Sequence, residues 1–372
     1  MKYIKELDSI RGIGIIIVVL YHWIPVDSFY NTFPNRPFGV DVFFVLSGFL
    51  ITNILLASRL EAEAHGVSRK YAFVNFFFRR ALRIFPIYFL VVFIIVISHA
   101  WLGAQLGDEL IPALTYTINF YFYDRQYWGD LTTHLWTLSI EEQFYLFWPW
   151  FILLVNRKYL LHVIVLFTAL GVVSQLFITD QEFGYLPTNT CFDAFGIGAF
   201  ISWIRIFRPH LLGKTYRVTL WLGIASSIAL IVAAAFPDLI FLSPQRTLRS
   251  LVAAWAIMFV IYKDQKNELH AIPVFSNKIL LFIGKISYGM YLYHIFFPWI
   301  YHILNAPLNG MLPDILLPYI SYITLVENFA ILVMVSWLSY KYIERPIMRL
   351  RNLRRISGSL TPAAVPVQTP IS

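Results

Sequence analysis

The chain has 372 residues, of which 58% are hydrophobic, 18% aromatic and 13% charged, with a mean hydropathy of +0.65. Soluble domains carry roughly 25% charged residues, so this composition leaves too little polar surface for a water-soluble globule. No segment is amphipathic enough for an enzyme lying on a membrane surface. The net charge of +8 sits in the connectors and points to membrane topology rather than to nucleic acid. The single cysteine, Cys191, excludes an internal disulfide and a zinc–thiolate cage, and no metal is expected.

The expected architecture is an all-α integral membrane protein. In chain order the apolar blocks predict about ten spans of roughly 17–26 residues each. They fall near 10–26, 38–57, 82–102, 136–155, 159–178, 188–206, 216–236, 245–262, 279–304 and 318–343. The first follows Lys2, Lys5 and Arg11, has no small-residue cleavage site after it, and reads as an uncleaved span.

The connectors alternate in charge. Arg59, Arg69, Lys70, Arg79 and Arg80, then Arg157 and Lys158, then Arg205, Arg208, Lys214 and Arg217, then Lys263, Lys266 and Lys278 mark the basic ones. Between them lie Asp108, Glu109, Asp124 and Asp130, then Asp180 and Glu182, then Asp238, then Asp314. Positive loops stay cytoplasmic, which places both termini on the cytoplasmic side. Residues 1–345 form the membrane domain, and 346–372 a basic and then disordered tail. The long external connector, 103–135, is rich in Tyr and Trp and reads as a lid, a short interfacial helix or an aromatic belt.

Titratable residues inside spans are costly and mark functional sites. Arg11 and His22, eleven residues apart, share one face of the first span with a rise of roughly 16 Å. The second span, GVDVFFVLSGFLIT, places Asp41 near the outer boundary and Ser47 deeper. The fourth carries Glu141 and Glu142; neighbours about 100° apart should not both face one pocket, so one is expected in the site. In the ninth, Ser287, Tyr291 and His294 share a face. Topology brings His22, Asp41, Glu141 and His294 to a similar depth, and a histidine beside carboxylates suits general-base chemistry. At the inward side, Arg80 and Arg83 stand three residues apart, as flanking charge or as a phosphate-binding fork. His22 and Asp27 also match an H-x4-D spacing found in glycerol-phosphate acyltransferases, a coincidence in a bundle of spans.

Six blocks together carry a resemblance: LDSIRGIGIIIVVLYH (7–22), GVDVFFVLSGFLIT (39–52), RRALRIFP (79–86), WTLSIEEQFYLFWP (136–149), ISYGMYLYH (286–294) and IERP (343–346). In this order they resemble the acyltransferase-3 family of membrane acyltransferases, which includes bacterial O-antigen acetylases. The resemblance implies transfer of an acyl group, usually acetyl, from cytoplasmic acyl-CoA to a hydroxyl of an extracytoplasmic glycan such as lipopolysaccharide O-antigen. It casts His22 as the catalytic histidine, Arg11 as its companion on the donor side, Arg80 and Arg83 as donor-binding, and Glu141 rather than Glu142 as the family's glutamate. Asp41 or Glu141 is expected to orient His22. Acyl-CoA enters as a substrate, with no permanently bound cofactor. Many relatives carry a further periplasmic esterase-like domain; its absence here favours direct acylation or a separate periplasmic partner. A proton-coupled transporter or flippase for a lipid-linked sugar would also need intramembrane His, Asp and Glu, but should not bind acyl-CoA.

Overall fold

The computed structural model describes residues 4–24, 38–66, 68–177, 182–236, 244–269, 272–304 and 320–350. Asp27, Asp180, Asp238, Asp314 and the tail from 351 onward lie outside the described residues. Among those described, every regular element is helical. The order is α1 (Leu7–Trp23), α2 (Phe38–Ala64), α3 (Arg69–Ser98), the short α4 (Leu110–Leu114) and α5 (Ile118–Arg125), then α6 (Leu135–Leu154) and α7 (Leu160–Leu176). There follow α8 (Phe192–Phe207), α9 (Leu212–Ala235), α10 (Gln245–Gln265), α11 (Pro273–Ser276), α12 (Lys278–Tyr293), α13 (Phe296–Leu304) and α14 (Ile320–Ser339). A π-helical turn, Tyr340–Glu344, leads into α15 (Arg345–Arg349).

Six helical runs are long and apolar enough to cross a bilayer: Phe38–Ala64, Arg69–Ser98, Arg157–Leu176, Thr188–Phe207, Pro209–Ala235 and Ile320–Arg349. The chain is an all-α membrane protein. Burial separates inner from outer helices. The apolar window of α2 is 67% buried, whereas those of α7, α9 and α14 are 22%, 22% and 11% buried and turn large apolar side chains such as Leu166, Trp221 and Val326 outward. A helix that is apolar all round belongs inside, and α2 packs against α1, α6, α8 and α10. Where α2 meets α8, a Cβ added at Gly48 would strike the Phe195 carbonyl, and one at Gly198 the Val45 carbonyl. Two main chains in direct contact replace the hydrophobic drive that lipid cannot supply.

Several span boundaries move, because charged residues can continue a helix where they find partners, as Arg59 and Arg69 do on Glu63 and on the last carbonyls of α6. The third span starts at Arg69 rather than 82, and α2 runs to Ala64 rather than 57. Ser68 caps α3 by accepting from the Lys70 amide. Arg59, buried near the end of α2, donates from Nη1 to the Ile152 and Val155 carbonyls at 2.8 and 2.7 Å and satisfies the last turn of α6. The ninth span is broken: α12 ends at Tyr293, and His294 and Ile295 form a turn before α13.

The connector expected to be external holds α4 and α5 and is pinned rather than hanging free. Asn119 Nδ2 donates to the Leu186 carbonyl and to Thr188 Oγ1, both at 3.1 Å. Gln143 Nε2 donates to the Tyr116 carbonyl at 2.7 Å and holds that residue in the left-handed region, at φ 54°. Trp128 stacks on Phe183 with ring centroids 5.0 Å apart. The connector also buries Glu109, which accepts a hydrogen bond from Thr132. Burial pushes that carboxyl above its usual range, and the Thr132 hydroxyl only partly offsets it.

Candidate active site

Two cavities meet in the bundle. The larger, about 1060 Å³, is a basin among the ends of α1, α2, α3, α8, α12 and α15. Nine cationic side chains line it: Lys5, Arg11, Arg80, Arg83, Arg205, Lys278, Lys285, Arg345 and Arg349, against only three acids, Asp8, Glu61 and Glu344. The smaller, about 90 Å³, is a slot lined by α1, α2, α3, α6 and α12. Arg11, Arg80, Arg83, Leu50, Ser287 and Tyr288 belong to both, so the slot opens into the basin through a ring of arginines. The i,i+3 spacing of Arg80 and Arg83 sets both at this junction.

Inside the slot, Glu141 is held on both oxygens: Ser47 Oγ donates to Oε1 and Tyr145 Oη to Oε2, each at 2.9 Å. Glu142 lines the same slot. The expectation that only one of the two could face the pocket therefore fails. The slot wraps around α6 between α3 and α12, wide enough to take side chains 100° apart. At its end stands Tyr291, whose hydroxyl lies 2.5 Å from Thr137 Oγ1 and donates to the His134 carbonyl at 2.8 Å. Ser287 also lines the slot but donates to its own helix, to the Gly284 carbonyl at 2.9 Å.

Behind Tyr291 lie three histidines. The His22 and His294 rings are 4.9 Å apart, and those of His294 and His134 5.5 Å. His22 Nδ1 sits 2.9 Å from the Val18 carbonyl, and His294 Nδ1 2.6 Å from the Tyr291 carbonyl. A carbonyl only accepts, so both Nδ1 atoms carry the proton and both Nε2 atoms keep the basic lone pair. His294 and His134 are buried, whereas His22 is exposed. Trp23 Nε1 donates to the His294 carbonyl at 3.0 Å and locks α1 to the turn after α12.

The expected grouping of His22, Asp41, Glu141 and His294 is thus divided. His22 and His294 are together. Glu141 makes its hydrogen bonds in the slot, not to His22. Asp41 is fully buried and occupied elsewhere: Arg246 Nε donates to Oδ1 at 3.0 Å and Arg249 Nε to Oδ2 at 2.6 Å. Arg246 binds further to the Tyr185 carbonyl at 2.8 Å and lies among the rings of Phe44, Trp136 and Tyr185. Neither carboxylate orients His22, whose ring is set by its own helix. Arg11 is paired with Asp8 at 3.0 Å and faces the basin, eleven residues below His22 on the same helix. Sequence reasoning passed over His134, Arg246 and Arg249. Two arginines inside an apolar span were a signal for the pair, and His134 stands just ahead of the block that drew attention.

A cationic basin that opens into a narrow slot, with a histidine cluster beyond Tyr291, defines the candidate site of this membrane protein. The family model described as an acyltransferase domain (acyltransferase-3) matches residues 4–340, and the chain belongs to that family. It is 29% identical, over 94% of its length, to a peptidoglycan O-acetyltransferase of Listeria monocytogenes. It is 27% and 25% identical, again over 94%, to a putative O-acetyltransferase and an O-acetyltransferase of Staphylococcus aureus. The chain spans 56% of the length of the first of these relatives and 58% of the other two. No solved structure matches it.

Proposed function

We propose that the chain is a membrane O-acyltransferase that carries an acyl group, in the first instance acetyl, from acyl-CoA at the cytoplasmic face to a glycan hydroxyl outside. Ten spans with both termini cytoplasmic, in a bacterial cytoplasmic membrane, put the basin on the donor side. The observation that carries this reading is the continuity of basin and slot through Arg11, Arg80 and Arg83. A nine-cation basin suits the phosphates of coenzyme A. A slot of about 90 Å³ admits only a thin arm, such as pantetheine bearing its thioester. The three relatives are named O-acetyltransferases, one of them for peptidoglycan. Peptidoglycan sugars are accordingly the first acceptor to test, beside lipopolysaccharide O-antigen and lipid-linked glycans.

In this mechanism the acceptor oxygen attacks the thioester carbonyl. His22 Nε2 takes the hydroxyl proton, the C–S bond breaks, and the proton passes to the departing thiolate. The Nδ1–H of His22 on the Val18 carbonyl fixes the ring so that Nε2 is the free base. A covalent variant has Nε2 attack first and hold the acetyl group. Purified protein mixed with acetyl-labelled acetyl-CoA, without acceptor, separates the two, because only the covalent route leaves label on the chain. His22→Ala is expected to lower acyl transfer by roughly 10²–10⁴-fold while donor binding survives. Undiminished transfer in that variant would remove His22 from either mechanism. Absence of acetyl-CoA binding by the wild-type chain would remove the donor assignment and favour a transporter.

A further inference from the structure

The slot contains two ionisable side chains, Arg80 and Glu142, that no described residue joins by a hydrogen bond or an ion pair. Arg80 makes no hydrogen bond and no ion pair within 4.0 Å; its guanidinium is held between the rings of Phe76 and Tyr145, 5.8 and 5.5 Å from their centroids. Glu142 likewise makes neither, and its Oε1 is enclosed with no hydrogen-bond donor. Their neighbours differ: Glu141 takes two hydroxyl donors, and Arg11 takes Asp8.

A basic and an acidic side chain that line one half-buried cavity would ordinarily relieve their desolvation by pairing with each other. Here Arg80 lies against the rings of Phe76 and Tyr145 instead, and no ion pair within 4.0 Å joins it to Glu142. What satisfies both is a ligand group that presents an acceptor to Arg80 and a donor to Glu142. A phosphate fits Arg80 but would be repelled by Glu142 beside Glu141. An ammonium group fits Glu142 but not Arg80. A secondary amide fits both, and the thin arm of coenzyme A carries two.

We propose that Glu142 and Arg80 form an amide subsite in the slot, Glu142 accepting an N–H of the pantetheine arm and Arg80 donating to the carbonyl of an amide. The inference rests on the reading that acyl-CoA is the donor. It makes Glu142, rather than the fully bonded Glu141, the carboxylate that touches the donor. The basin then selects the phosphates, and the slot selects the arm.

The test is equilibrium competition against labelled acetyl-CoA on the full chain in detergent. Its ligands are acetyl-CoA, pantetheine, and adenosine 3′,5′-bisphosphate, which has the phosphates but no amide. Hydrogen bonds to charged groups set the scale, so Glu142→Ala is expected to weaken acetyl-CoA and pantetheine about 10- to 100-fold and leave the bisphosphate unchanged. Glu142→Gln, which retains an acceptor, should recover most of that loss. Arg83→Ala, at the basin, should do the reverse, weakening the bisphosphate and sparing pantetheine. Equal weakening of all three ligands by Glu142→Ala, or none for acetyl-CoA, overturns the subsite. A coenzyme A analogue with each amide N–H replaced by an ester oxygen examines the same contact on unmutated protein. It should bind wild type at least 10-fold more weakly than coenzyme A, and equal binding again overturns the proposal. If wild type binds none of these ligands, the donor assignment itself has failed, which is a separate result.

Discussion

Replacing Asp41 by Asn should cost the chain its stability rather than its chemistry. Asp41 is fully buried, and each of its oxygens receives a guanidinium N–H, at 3.0 Å from Arg246 and 2.6 Å from Arg249. Hydrogen bonds to charged groups contribute about 1.5–3 kcal/mol each, which puts two of them at roughly 3–6 kcal/mol. Breaking a buried ion pair by removing one partner costs about 3–5 kcal/mol, because the cation left behind keeps its desolvation penalty. Asn retains one acceptor and would direct an amide N–H at the other arginine, so most of that cost should appear. The measurement is equilibrium unfolding in mixed micelles, with acyl transfer normalised to the folded fraction. The expected outcome is a loss of about 3–5 kcal/mol with normal transfer per folded molecule. An unchanged unfolding curve with transfer abolished would refute the reasoning and return Asp41 to the catalytic role that its position in the second span first suggested.

Gly198→Ala should destabilise the bundle, because the added carbon meets the Val45 carbonyl and α8 cannot move off α2 without opening the core; unfolding of purified protein measures it, and a neutral result would contradict the close crossing. Glu109 gives a pH dependence with a definite sign. Burial raises its folded pKa, so the folded form holds its proton more tightly than the unfolded form; this contribution to stability is present below the unfolded value and is lost as pH rises through the folded one. Proteolysis of the external connector should therefore quicken as pH rises just above the ordinary carboxylate range, and Glu109→Gln should flatten that profile. Thr137→Val removes the hydroxyl that meets Tyr291 and should change the rate of acyl transfer more than the affinity for acetyl-CoA, since it acts in the slot beside Tyr291 and away from the basin.

The helical, membrane-spanning class was legible because hydrocarbon thickness dictates long apolar runs, and the six helical runs long enough to cross a bilayer each overlap an expected span. Their basic ends were not legible. Arg69 to Arg83 resembles a loop when polarity is equated with leaving the membrane, whereas it is helix throughout, with Arg80 and Arg83 lining the cationic basin. The arginine junction could be read locally because Arg80 and Arg83 are neighbours on one helix face. The true partners of Asp41 could not, lying 205 and 208 residues away on α10. Helical geometry also misled at Glu141 and Glu142. The angular separation was right, but the slot proved broad enough to take both.

The convergence of titratable groups from separate spans was sound as far as the histidines, and its division is informative about how transfer must proceed. His22 and His294 arrive from α1 and the turn after α12, yet neither lines the slot that the donor arm would enter. Between them stands Tyr291, whose hydroxyl faces Thr137 and whose ring lies 5.5 Å from His294. A thioester advancing from the basin would meet this tyrosine before it meets a basic nitrogen. In the proposed mechanism the acceptor would approach from the other side, towards His22, which is exposed. In the proposed mechanism a bundle so divided would keep the thioester away from the base, and from water on the far side, until both substrates are seated. That separation is what a transferase working across a bilayer requires if hydrolysis is not to outrun transfer.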